Sequence, residues 1–261
     1  MAEGPLRLTR NGPVLEVVLD RPKANAIDAA TSRLMGECFA TFRDDPALRV
    51  AIVTGGGDRF FSAGWDLKEA AQGEPPDADY GVGGFGGLQQ LPNLNKPIIA
   101  AVNGIAVGGG FELALSADLI IAAEHARFAL PEIRAGTLAD AATIKLPRRI
   151  PYHVAMDMLL TGRWMDAGEA MRWGLLKEIV PAAQLLARAR ELAILLANGP
   201  PLVFEAIKEV LRETETLSEQ DAVTRVATRS FPTVDRLYSS EDQLEGARAF
   251  VEKRAPVWKG R

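Results

Sequence analysis

Short aliphatic runs punctuate the first half of the chain at residues 14–19, 50–54, 98–102 and 119–123, each bounded by Gly, Pro, Asn or Asp. Runs this short, rich in Val and Ile and continuous rather than alternating, suit strands covered on both faces of a parallel sheet. Between the first two, Leu34, Met35, Cys38, Phe39 and Phe42 recur at helical spacing over residues 31–42. Strand, helix, strand then recurs, so the pattern predicts an α/β body with a mostly parallel sheet and right-handed crossovers. After Pro151 the period changes. Residues 154–160, 183–196, 202–211 and 220–230 carry helical patterns, and a last helix over 241–252 opens with Ser240 and Gln243 placed as a capping box. The expected organisation is an α/β core over residues 1–195 followed by a helical, subunit-packing part over 196–261.

Residues 73–87 read GEPPDADYGVGGFGG, with too much Gly and Pro for a regular element. This predicts a mobile loop, either a lid over a site or a plain linker.

The balance of 30 Lys and Arg against 34 Asp and Glu gives a formal charge of -4. That is too nearly even to favour a polyanion, so no nucleic-acid partner is expected. No apolar run reaches the ~18 residues of a membrane span, and the first ten residues hold no apolar stretch like that of a secretion signal, so no membrane partner and a cytoplasmic location are expected. Two scattered histidines and one cysteine give no metal-ligand cluster, and Cys38 reads as a small core residue of a helix.

Candidate chemistry gathers at two turns. NGIAVGGGFE, from Asn103 to Glu112, follows a strand and leads into a helical run, and its three consecutive glycines leave backbone N–H groups uncovered. An oxygen becoming an anion would be stabilised there, although a tight turn that merely needs small residues has the same appearance. The spacing fits neither a Walker loop nor a dinucleotide fingerprint. FFSAGWDLK, from Phe60 to Lys68, is a second turn of the same kind, and two N–H donors from two loops can converge on one oxygen. Glu112 and Glu132 supply two carboxylates, one able to take a proton and one to give it. Glu112 sits against Leu113, Ala114 and Leu115, where an unpaired surface carboxylate would be out of place.

SAGWDL, NGIAVGGGFELALSADLIIA and FALPEIRAG, in that order and spacing, resemble the crotonase (enoyl-CoA hydratase/isomerase) superfamily. LDRPKANAID, FRDDPALRVAIVTG, the loop PDADYGVGGFGGL, MRWGLL and the tail FVEKRAPVWKGR resemble, across essentially the whole chain, its carnitinyl-CoA dehydratase branch. The resemblance implies a ClpP/crotonase-like fold of repeated ββα units with a helical C-terminal part. It also implies addition or removal of water across the Cα=Cβ bond of a short acyl-CoA thioester, the carnitinyl-CoA/crotonobetainyl-CoA pair being favoured. A general enoyl-CoA hydratase or isomerase and a catalytically silent acyl-CoA-binding protein stay open.

Carried over, the N–H groups of Trp65 and Gly109 form the oxyanion hole, and Glu112 and Glu132 are the catalytic pair. Lys23, Ala24, Ala26, Ser62, Ala63 and Lys68 line the route of coenzyme A, with Lys253, Arg254 or Lys259 as a basic residue offered by the next subunit. The loop supplies Tyr80 and Phe85, which with Asp140 are expected to face the acyl group, either holding a cationic end or closing the loop over a hydrocarbon chain. The resemblance implies a homotrimer or hexamer and no metal or redox cofactor beyond the coenzyme A of the substrate. One departure stands out: where hydratases of this superfamily carry Pro-x-x-Gly-Gly, this chain has Leu138-Ala-Asp-Ala-Ala-Thr143, so methyl groups of Ala141 and Ala142 are expected to crowd a helix start near the acyl group.

Overall fold

The computed structural model describes residues 4–71, 73, 75 and 78–261. Asp77, in the Gly- and Pro-rich loop, lies outside the described residues.

An edge strand, β1 (Leu6–Asn11), turns at Gly12 and Pro13 into β2 (Val14–Leu19) and pairs with it antiparallel. Its side chains are mostly exposed, so it carries no aliphatic run for the sequence to reveal. A short strand, β3 (Ala26–Ile27), leads into α1 (Ala29–Asp44). Asp28 caps this helix by accepting the Thr31 N–H at 2.7 Å, and Met35, Phe39 and Phe42 bury its inner stripe. There follow β4 (Val50–Gly55), β5 (Phe60–Ser62), β6 (Gly64–Trp65), α2 (Leu67–Ala71), β7 (Ile98–Val102), β8 (Ile105–Val107) and α3 (Gly109–Leu115). Next come β9 (Leu119–Ala123), β10 (Arg127–Ala129), α4 (Glu132–Ala135), α5 (Asp140–Lys145), α6 (Tyr152–Thr161), β11 (Trp164–Asp166), α7 (Ala167–Arg172) and β12 (Glu178–Val180). The chain ends in α8 (Leu185–Ala197), α9 (Pro201–Thr214), α10 (Glu219–Ala227), α11 (Pro232–Tyr238) and α12 (Asp242–Glu252).

Among the described residues one sheet runs β1-β2-β4-β7-β9-β12, a second runs β11-β10-β8-β5, and β3 pairs with β6. From β2 to β12 the first sheet is parallel. Ala51 and Val53 of β4 face the main core with α1 and α3, while Val50 and Ile52 face a second core covered by α8. Two covered faces are the reason these strands read as unbroken aliphatic runs. The expected α/β body with parallel strands is thus present, and the second sheet carries the two turns of interest: β5 ends at Ser62 and β8 at Val107, side by side and parallel.

The C-terminal helices differ from expectation in detail. The pattern over 220–230 ends early, with α10 stopping at Ala227 and Arg229 turning left-handed, after which Pro232 restarts the chain as α11. Ser240 Oγ accepts the Gln243 N–H at 3.2 Å, one half of the expected box, although α12 proper begins at Asp242. The expected boundary after residue 195 falls inside α8, which covers the sheet. Ala206, Phe231 and Val234 form a separate small cluster between α9 and α11.

Candidate active site

At the end of β8, Gly108 takes a positive φ of 58° and starts α3 without a side-chain cap. Its carbonyl accepts the N–H groups of Phe111 and Glu112. The helix itself offers no acceptor to the N–H groups of Gly109 and Gly110, because the first N–H groups of a helix point out of its end. Opposite lies the turn after β5. A Cβ on Gly64 would stand 2.7 Å from Gly109 N and from Val107 O, and one on Gly110 would stand 2.2 Å from Ser62 O. The two turns therefore pack backbone against backbone, which side chains would prevent. The two turns singled out in the sequence thus lie against each other.

Glu112, in the first turn of α3, is 7% exposed. Its Oε1 accepts the Ala142 N–H at 2.9 Å and its Oε2 accepts from Gln89 Nε2 at 3.3 Å. Burial pushes its carboxyl up, the Ala142 and Gln89 hydrogen bonds pull back, and the charge of Asp140 adds to the rise; the net shift is upward. Glu132 opens α4, and its Oε2 is buried without a hydrogen-bond partner among the described residues. Burial pushes this carboxyl up, its own peptide N–H pulls back, and the charges of Glu112 and Asp140 push further, to about 7. A Cβ on Gly108 would meet Glu132 Oε1 at 2.8 Å, so the glycine also makes room for the second carboxylate.

Trp65, Gly109, Glu112, Glu132, Tyr80, Phe85 and Asp140, drawn from segments far apart in sequence, line one cleft of about 440 Å³. The Phe85 ring lies against Gly109, where a Cβ would come within 2.3 Å of Cε1, and Tyr80 meets Phe85 edge-on at 5.3 Å. From Gly83 to Gly87 the loop is pinned to α1 rather than loose: a Cβ on Gly87 would stand 2.4 Å from Gly36 N, and Gly86 N–H donates to Ser32 Oγ at 3.1 Å. Its glycines serve close packing as well as turning.

Lys23, Ala24, Ala26, Ser62, Ala63 and Lys68 do not line this cleft. They lie in two adjacent strips beside it: Ala63 N–H donates to Ala24 O at 2.9 Å, and Ala26 pairs with Gly64. Ser62 is fully buried, and its hydroxyl donates to Asn25 O and accepts the Gly64 N–H. The Lys23 and Lys68 side chains are exposed. Of the tail cations, Arg254 is bound to Glu245 and Glu252 and Lys259 to Glu241, while Lys253 makes no ion pair among the described residues.

The start of α5, where Ala141 and Ala142 stand, does lie beside Glu112, with Asp140 lining the cleft. Ala142 is fully buried in the main core, neither it nor Ala141 lines the cleft, and the Ala142 N–H donates to Glu112. Gln89 escaped the sequence reading because nothing marks one Gln in a Leu-Gln-Gln-Leu stretch until folding brings it against Glu112. Among the described residues there is no cluster able to hold a metal ion and no helix long and apolar enough to cross a membrane.

The profile of the enoyl-CoA hydratase/isomerase family matches residues 9–261. The carnitinyl-CoA dehydratase of Salmonella typhi is 55% identical over 257 residues, covering 98% of each chain. That of Salmonella arizonae is 57% identical over 256 residues, again 98% of each. Among solved structures, enoyl-CoA hydratase from Mycobacterium tuberculosis superposes with a TM-score of 0.90 at 36% identity, covering 99% of this chain and 100% of that one. Enoyl-CoA hydratase from Bacillus anthracis gives 0.89 at 30%, with the same coverage.

Proposed function

The chain belongs to the enoyl-CoA hydratase/isomerase (crotonase) family, and from that premise we propose that it is a hydro-lyase interconverting carnitinyl-CoA and crotonobetainyl-CoA. The observation that carries the chemistry is the pairing of Glu112 with Glu132 in one cleft beside the start of α3. Both oxygens of Glu112 are held by N–H donors, which fixes its orientation, whereas Glu132 keeps one buried oxygen without a partner among the described residues and a carboxyl pushed up to about 7. In the hydration direction Glu112 takes a proton from water as the water oxygen bonds to Cβ. The π electrons move to the thioester oxygen, and Glu132 then gives its proton to Cα. Dehydration is the reverse. The transient enolate oxygen sits between the N–H groups of Trp65 and Gly109, each contributing on the order of 3 kcal/mol by comparison with other oxyanion holes.

The acyl end follows from charge. In a crotonobetainyl thioester the carboxyl is consumed by the link to coenzyme A, so the far end is a bare trimethylammonium, which donates no N–H hydrogen bond. Aromatic faces hold such a cation, each contributing about 0.5–2 kcal/mol. Tyr80, Phe85 and Trp65 line the same cleft as Asp79 and Asp140, which supports this reading. Lys23 and Lys68 beside the two strips are the proposed partners of the coenzyme A phosphates, with backbone of Ala24, Ala26, Ser62 and Ala63 along the route. Residues 196–261 are proposed to pack subunits into a trimer or a hexamer, in the cytoplasm.

The test is catalytic efficiency on crotonobetainyl-CoA against crotonyl-CoA. Two or three aromatic contacts are expected to favour the cation by roughly tenfold or more. A Tyr80→Ala, Phe85→Ala double variant should lose that preference. A preference for crotonyl-CoA in the unaltered chain would reduce the reading to a general hydratase.

A further inference from the structure

Arg21 lies outside the cleft, yet its guanidinium joins three segments that meet at the oxyanion turn. Nη1 donates to Asp66 Oδ2 at 2.5 Å and to Ala26 O at 3.1 Å, and Nη2 pairs with Asp28 Oδ2 at 2.7 Å. All three side chains are well covered, at 24%, 13% and 17% exposure for Arg21, Asp66 and Asp28. Asp66 directly follows Trp65 and is held at its N–H and at both carboxylate oxygens. Its N–H donates to Ile27 O at 3.0 Å, and Oδ1 accepts the Lys68 N–H at 3.0 Å. On the other side, Gly64 N–H donates to Ser62 Oγ at 3.1 Å. The Gly64–Trp65 peptide is thus clamped between two anchors, and Arg21 is the charge on which the second depends.

We infer that Arg21 is a positioning residue: through Asp66 it aims the Trp65 N–H at the reacting oxygen, and through Ala26 and Asp28 it ties that aim to the strip proposed to carry coenzyme A. The inference rests on the oxyanion reading above. Without the cation, two covered carboxylates, Asp28 and Asp66, would be left without their shared partner, and the turn would relax. Lysine cannot substitute, because a single ammonium does not span acceptors that a planar fork reaches together.

The experiment compares the unaltered chain with Arg21→Lys and Asp66→Asn, after confirming folding by circular dichroism and melting. Two readouts are taken: kcat and KM for hydration, and the absorbance near 300 nm of bound acetoacetyl-CoA, a thioester whose enolate is stabilised by oxyanion donors without any addition of water. Loss of donor alignment is expected to lower kcat by about tenfold to a hundredfold, with KM changed by no more than about threefold, and to lower the enolate signal in parallel. Arg21→Ala is expected to be worse on both counts, and where it fails to fold the other two variants decide. A folded Arg21→Lys and Asp66→Asn pair with kcat within twofold of the unaltered chain, or with reduced kcat but an undiminished enolate signal, would overturn the inference. If the unaltered chain forms the enolate but hydrates no thioester, the hydro-lyase reading fails alone, and the brace is still decided by the enolate signal.

Discussion

Glu132 titrates near 7 in the folded chain against an ordinary value of 4.5. Between those values the folded chain holds a proton that the unfolded chain has released, so this group's contribution falls as pH rises, beginning above about 4.5 and complete above about 7. Glu132→Gln removes the titration. The melting temperature of this variant relative to the unaltered chain should therefore climb through that window and level off above it. A flat difference across pH would mean that the carboxyl is not raised. The same variant should cut hydration at least ~100-fold, as should Glu112→Gln, while coenzyme A esters still bind. Near unaltered turnover in either variant would remove the two-carboxylate mechanism. In the unaltered chain hydration should decline above about pH 7, where Glu132 no longer carries the proton that Cα needs.

Helix α3 carries Gly109 and Gly110 at its start and Glu112 in its first turn, and its first residues lie against β5. Gly110 is the most constrained of these contacts, since a Cβ there would lie 2.2 Å from the backbone oxygen of Ser62, which cannot swing aside as a side chain would. Gly110→Ala should destabilise by about 1–3 kcal/mol, the range for overpacking, and lose activity beyond the effect of stability by displacing Glu112 and Gly109. Gly168→Ala is the control. It sits in α7 with Asp166 Oδ1 at 3.4 Å as its near neighbour, so stability should hold or rise slightly through helix propensity. Denaturant titration of both variants separates the two cases, and equal effects would show that the contact between the turns is not what fixes α3.

The whole molecule leaves apolar side chains on its helical end that one chain does not cover. Leu195 and Leu211 are 68% and 65% exposed, and Phe250 and Val251 reach 86% and 79%. In the proposed assembly neighbouring subunits cover these side chains, so light scattering at working concentration should give three or six times the chain mass. A monomer mass would refute the proposed assembly.

The sequence by itself determined the elements that repeat a period and the turns that need glycine. The aliphatic runs of β2, β4, β7 and β9, the stripe on α1 and the two glycine turns announce themselves locally, because burial on both faces and close backbone approach restrict residue type wherever they occur. Edge strand β1 and the short α11 gave no such signal, one being exposed and the other hidden behind Pro232. Tertiary structure alone decided which distant groups meet. It set Gln89 and the Ala142 N–H on the two oxygens of Glu112, placed Ala142 in the main core, and joined Arg21 to Asp66 across 45 positions of chain. A hydrogen bond or an ion pair constrains two positions only after folding has made them neighbours, so neither residue carries its mark in the local pattern.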